Sequence, residues 1–225
     1  WAIGNCFTKP PKVYSRERLH KAEPVIDMDG VQGGIEYSDA YVVDNDSRFV
    51  FGFVRGALNV GAACANYVEL TNATRDSRGW SAELTDTDTG DTFTCKARVI
   101  VNAAGPFVDD LNSQLGIESK HQIVFSKGIH LIVPRIVSNE KVLAFFDDTE
   151  RLFYVIPMGS RSVIGTTDER VVDPVTQVDE EDRDFLLEQI NKRLDLPKPL
   201  TPDDIISTRC GVRPLVVERT DNSHT

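Results

Sequence analysis

Arg98-Val-Ile-Val-Asn-Ala-Ala-Gly-Pro-Phe-Val-Asp-Asp110 decides how the chain is read. Val99 to Val101 is a short apolar β-branched run, the composition of a strand covered on both faces. It gives way to Asn102-Ala103-Ala104-Gly105, where no side chain is large. Pro106 suits the first turn of a helix, a position that needs no amide hydrogen. The stretch therefore predicts a buried strand, a small-residue turn and a helix start. Such a turn lets a ligand approach the backbone closely, and it serves equally as a tight packing turn with no ligand.

Antiparallel β-structure is expected just upstream of this stretch. Asp44-Asn45-Asp46 offer N-caps for a helix over 47–58, with Phe49, Phe53 and Ala57 recurring at helical spacing and Gly61 marking its stop. Strands follow at 63–70 and 80–85. Asp88-Thr89-Gly90-Asp91 then turns the chain into a third strand at 92–96. Before these, Ser15 caps a short helix and Gly33-Gly34 precede a short strand.

Downstream, 121–133 reads as a strand interrupted at Lys127-Gly128, followed by a meander of strands at 142–146, 152–156 and 162–165. Residues 179–194 form the clearest helix, with acidic residues in its first turn, Lys192-Arg193 in its last, and Leu186, Ile190 and Leu194 on one face. A strand over 205–209 leads into Gly211-Val212-Arg213-Pro214-Leu215, read as a constrained loop. The pattern gives an α/β piece, 41–118, flanked by α+β pieces at 1–40 and 119–210, as in a domain whose chain leaves and re-enters.

With 225 residues, 40% of them apolar, the chain can bury a real core, and its formal net charge is −10. An acidic chain with no cluster of Lys and Arg is a poor binder of nucleic acid. Cys6, Cys64, Cys95 and Cys210 include no C-x-x-C pair, which argues against a metal site or a redox dithiol. They are expected to be reduced and mostly buried. No run is long and apolar enough to span a bilayer, and the start at Trp1 has no signal-peptide pattern. With no initiator Met, the chain is expected to be a piece of a longer protein.

Arg213 is the first candidate for chemistry. Gly211 and Pro214 hold the backbone around it, and a planar fork of donors suits phosphate or carboxylate oxygens. A structural ion pair with one of the 35 acidic residues is the alternative. His130 is either a satisfied core residue or a proton acceptor, since its ordinary pKa lies near neutrality. Lys127 adds positive charge beside Gly128. Thr167, in Gly165-Thr166-Thr167-Asp168, offers a hydroxyl for substrate or for its own turn.

Four stretches together carry a resemblance. They are Gly34-Ile35-Glu36-Tyr37-Ser38-Asp39 with Asp46-Ser47-Arg48-Phe49; Val101 to Val108; Ile156-Pro157 through Gly165-Thr166-Thr167-Asp168; and Gly211-Val212-Arg213-Pro214-Leu215. In this order the chain resembles the FAD-dependent glycerol-3-phosphate dehydrogenases of the D-amino-acid-oxidase-like flavoenzymes. The resemblance implies an α+β and α/β architecture: part of a Rossmann-like FAD domain (41–118, with a return at 211–225) interleaved with a mixed-sheet substrate-binding domain (1–40 and 119–210). It implies oxidation of sn-glycerol 3-phosphate to dihydroxyacetone phosphate, FAD as cofactor, a quinone as electron acceptor, and a cytoplasmic protein in peripheral contact with the inner membrane. A related flavin oxidase, or a non-catalytic binding module, is the alternative. By motif, Arg213 and His130 are the catalytic pair. Arg213, His130, Lys127 and Thr167 bind the substrate. Asn102, Ala103, Ala104, Gly105 and Pro106 lie against the FAD, and Val68 meets its adenine end through backbone.

The family's Gly-rich FAD fingerprint, the substrate-binding arginine after it, and a late Gly-Gly-Lys-Leu-Thr-Thr stretch do not occur in these residues. The 225-residue chain purified alone is therefore expected to carry no stoichiometric flavin. An absorption spectrum of the purified chain checks this, and a bound-flavin band at one equivalent would contradict it.

Overall fold

The computed structural model describes residues 8–40, 42, 46–148 and 150–219. Trp1 to Asn5, Cys6 and the proposed caps Asp44 and Asn45 lie outside them. The chain divides into two units: 1–37, 105–107 and 120–225 form one, and 38–104 with 108–119 form the other.

The larger unit begins with β1 (Lys12–Ser15), α1 (Arg16–Ala22) and β2 (Gly33–Glu36); β1 and β2 pair antiparallel. Ser15 caps α1 as expected, its Oγ accepting from the amide of Arg18. The smaller unit holds α2 (Asp46–Asn59), β3 (Val68–Asp76), β4 (Gly79–Asp86), β5 (Thr92–Ala97) and α3 (Val108–Gln114). Its three strands form one antiparallel sheet in the order β3-β4-β5, joined through the Asp88 to Asp91 turn. The first strand starts later than the sequence suggested, at Val68 rather than residue 63.

One expectation fails in this unit. Residues 99–101 form no strand, and Val99 and Val101 are 71% and 82% exposed. A doubly covered strand needs a partner on each edge and a layer on each face, and the described residues of this unit supply none. The helix at 46–59 forms, but Phe49 and Phe53 pack edge to face on each other at 5.2 Å and stay exposed. Periodicity can assign a helix without supplying the surface it would cover.

The larger unit then resumes with β6 (His121–Pro134), β7 (Leu143–Phe146), β8 (Leu152–Met158), β9 (Arg161–Gly165), β10 (Glu169–Val171), α4 (Glu180–Arg193) and β11 (Ser207–Glu218). These six strands make one sheet, expected to be mixed but antiparallel at every described pairing. The meander β7-β8-β9 is as expected. Strand β6 runs without a break through Lys127-Gly128, and β11 runs through the expected loop at 211–215. Their twelve-residue register, from Ser207 opposite Ile132 to Glu218 opposite His121, removes the expected boundary between 210 and 211. Pro214 is tolerated because β11 is an edge strand.

Alternation along β6 separates two faces. Ile129, Leu131 and Val133 point to a core closed by Leu186 and Ile190 of α4, with Phe153, Val155 and Ile164 from the neighbouring strands. Helix α4 has its capping box in place: Asp179 accepts from the amide of Asp182, and the Asp182 carboxylate accepts from the amide of Asp179. Each large side chain buried here contributes about 1.5–3 kcal/mol.

Lys127 shares the helix-covered face. It is 3% exposed, and its Nζ lies 2.8 Å from Glu169, 3.1 Å from Asp179 and 2.9 Å from Asp182. Burial alone would pull its pKa down; the three carboxylates outweigh that and hold it well above the ordinary lysine value. On the lysine side this pairing holds below pH 10.5 and is lost at more alkaline pH; toward acid it lasts while the carboxylates stay ionised, and the Asp182 amide and Lys127 hold Asp179 below its ordinary value. Lys127 therefore joins α4 to the sheet, and the expectation that it binds substrate is withdrawn. The described cysteines also differ from expectation: Cys64, Cys95 and Cys210 are free and exposed.

Lys127→Met leaves Asp182 buried without its cation. A loss of about 3–5 kcal/mol is expected, read as a lower urea midpoint in the full-length protein.

Candidate active site

The opposite face of β6 carries Ser126, Gly128 and His130. Directly across in β11 lie Arg213, Gly211 and Arg209, paired with them in that order. On the other edge of β6, β9 pairs down to Gly165 opposite His130, and β10 resumes with Glu169 opposite Lys127. Thr166, Thr167 and Asp168 thus stand against only Gly128 and Ile129, one residue in excess. That is a β-bulge, a device that re-aims side chains at a sheet edge.

The bulge builds a cradle for one guanidinium. Thr167 Oγ1 accepts from the amide of Ile129 at 3.1 Å, taking up a donor the broken ladder leaves unpaired. Arg213 Nη2 donates to Thr166 Oγ1 at 2.7 Å, and Nη1 to the Thr167 carbonyl at 3.3 Å. Nη1 also reaches Ser126 Oγ at 3.5 Å and the Asp168 carboxylate at 4.0 Å. Ser126 in turn donates to Asp168. The guanidinium crosses directly over Gly128: a Cβ there would stand 2.4 Å from Arg213 Nη2, 2.6 Å from Nη1 and 2.6 Å from Thr166 Oγ1. Gly128 is the passage through which the side chain reaches its partners.

His130 is half-buried, and its ring lies against Gly165, where a Cβ would come within 2.6 Å of Cδ2. The ring makes no hydrogen bond among the described residues. Burial, followed by the charges of Arg213 and Arg209, lowers its pKa below the ordinary 6.5. It is therefore neutral at pH 7, with a ring nitrogen able to accept a proton.

The structure brings Arg213, His130 and the Thr167 backbone onto one face and puts Lys127 on the other. Ser126, Thr166 and Asp168 were not singled out individually by sequence reasoning, because their role depends on a bulge that only the strand register reveals. In the smaller unit, Asn102 clamps its own turn. Nδ2 donates to the Val108 carbonyl and to Asn112 Oδ1, both at 3.0 Å, and Oδ1 accepts from the amide of Ala104 at 3.2 Å. Val68 opens β3, an edge strand. Gly105–Phe107 forms a single 3-10 turn in the larger unit, packed against β11.

A family model described as FAD dependent oxidoreductase (DAO) matches residues 4–224, and the chain belongs to that FAD-dependent family. It is 33% identical over 196 residues to the aerobic glycerol-3-phosphate dehydrogenase of Escherichia coli K12, covering 85% of this chain and 38% of that protein. It is also 33% identical over 203 residues to the D-erythritol 1-phosphate dehydrogenase of Brucella abortus, covering 88% and 39%. The glycerol-3-phosphate dehydrogenase of Bacillus halodurans, solved with FAD, superposes with a TM-score of 0.80 at 27% identity over 92% of this chain and 42% of that one. Glycine oxidase of Bacillus cereus, at 19% identity and a TM-score of 0.69, shares the fold. The chain spans about two fifths of the length of its curated relatives. No helix among the described residues is long and apolar enough to cross a membrane.

Gly128→Ala should displace the Arg213 guanidinium, since the atoms it strikes are the mobile ends of side chains. We expect a loss of substrate affinity with a stability cost of about 1–3 kcal/mol. Parallel measurement of KM and the urea midpoint in the full-length enzyme checks the split.

Proposed function

We propose that this chain supplies the substrate-binding face of a flavin-dependent dehydrogenase that oxidises sn-glycerol 3-phosphate to dihydroxyacetone phosphate, with electrons passing on to a quinone. The observation that carries the reading is the Arg213 guanidinium fixed over Gly128 beside a neutral, hydrogen-bond-free His130. The glycerol-phosphate and erythritol-phosphate dehydrogenases among the relatives support a polyol phosphate as substrate.

Residues of this chain fit a share of the cofactor's surface. Ala103, Ala104 and Gly105 extend no atom beyond Cβ, and Asn102 spends its side chain on the turn, so backbone is what they offer a ligand. One edge of β3 at Val68 has no strand partner among the described residues. In this reading Asn102 to Pro106 lie against the flavin, and the Val68 backbone meets the adenine end. When bound, the flavin supplies the hydride acceptor.

A secondary alcohol gives up hydride from its carbinol carbon only as its hydroxyl proton leaves. His130 takes that proton at a ring nitrogen. Arg213 fixes the anionic end of the substrate and adds positive charge near the developing alkoxide. Thr166 and Thr167 are positioning residues that act through Arg213.

Arg213→Ala in the full-length enzyme is expected to lower kcat/KM about 10- to 100-fold through both parameters, the worth of a lost charge-assisted bond. Unchanged glycerol phosphate oxidation would refute its role. His130 works while neutral, so kcat/KM should fall only as pH drops through its lowered pKa, below 6.5. His130→Gln should cost about 10²–10⁴-fold and abolish that acid limb, as a pH–rate profile would show.

A further inference from the structure

Every second residue of β11 faces the same side as His130, which gives the row Arg209, Gly211, Arg213. The two arginines are about 13–14 Å apart at Cα by strand rise, and both side chains are long enough to reach inward from that spacing. Between them Gly211 is bare: where its Cβ would stand there is nothing within 4 Å. Across the register, Gly128 is roofed by the Arg213 guanidinium. The row is therefore an open floor with a cation at each end and the imidazole diagonal to it.

Arg209 is exposed and has neither a hydrogen bond nor an ion pair among the described residues. Asp168 lies near the row, 4.0 Å from Arg213, and accepts from Ser126. Two guanidiniums on one strand face repel each other, and an anion between them relieves the repulsion.

We propose that Arg209 is a second anion-binding residue of this face, and that the phosphate of the polyol phosphate lies over Gly211 between Arg209 and Arg213. The substrate class rests on the reading above; the anion site itself rests on the row. Its effect on the imidazole agrees: after burial, the charges of Arg213 and Arg209 are what lower the pKa of His130.

The test uses the full-length holoenzyme with inorganic phosphate as probe, bound directly by calorimetry and as a competitor of glycerol 3-phosphate. Arg209→Gln should weaken phosphate binding and raise KM about tenfold or more, with kcat within about twofold, and Arg209→Lys should restore part of the loss. The acid limb of kcat/KM should move to higher pH in Arg209→Gln, a change that a merely structural role would not produce. Gly211→Val, which has room for its side chain, should weaken phosphate binding with both arginines intact. Phosphate binding and KM unchanged within about twofold in both Arg209→Gln and Gly211→Val would overturn the proposal. An enzyme that oxidises no polyol phosphate would sink the functional reading alone. Phosphate calorimetry on wild type and Arg209→Gln then still decides the anion site, equal binding counting against it.

Discussion

A guanidinium lying over a glycine organises the larger unit. Arg213 can reach Thr166 and Thr167 only because Gly128 offers no side chain, and those two groups are in reach only because the strand beside β6 carries one residue too many. The Ile129 amide that the bulge would orphan is taken by Thr167 Oγ1, so the irregularity leaves no unpaired buried donor there. Three features that look unrelated along the chain, a glycine at 128, two threonines at 166–167 and an arginine at 213, are parts of one contact.

The two faces of β6 divide the labour. One is apolar and sealed by α4, with Lys127 and three carboxylates pinning the helix start to the sheet. The other carries Ser126, Gly128 and His130 in line, the first two buried beneath the Arg213 contacts and His130 half-buried. Because successive residues point to opposite faces, two adjacent basic candidates, Lys127 and the arginine-bearing row, fall into different environments. A cation ringed by carboxylates is already satisfied. A cation held mainly by hydroxyls and a carbonyl, with its nearest carboxylate, Asp168, at 4.0 Å, keeps charge for an anion.

The smaller unit shows the limit of local patterning. Its antiparallel strands form where alternation and turn residues put them, within a few positions, because hairpins are closed by neighbours in sequence. The valines at 99–101 have the composition of a buried strand and are exposed, since burial requires partners that composition cannot provide. The turn at 102–105 keeps its shape through the Asn102 side chain even so.

By itself the sequence determined the cap of α1, the span and terminal charges of α4, the 143–165 meander, the Asp88 to Asp91 turn and, through its motif pairs, the family. All of these rest on contacts within a few residues or on motif order. Tertiary structure alone decided that β6 and β11 run unbroken, that Lys127 belongs to the helix-covered face, and that Ser126, Thr166, Asp168 and Arg209 surround the Arg213–His130 face. Those outcomes follow from strand register, which in β6 and β11 pairs residues 75 to 97 positions apart and moves every side chain to the other face if it slips by one.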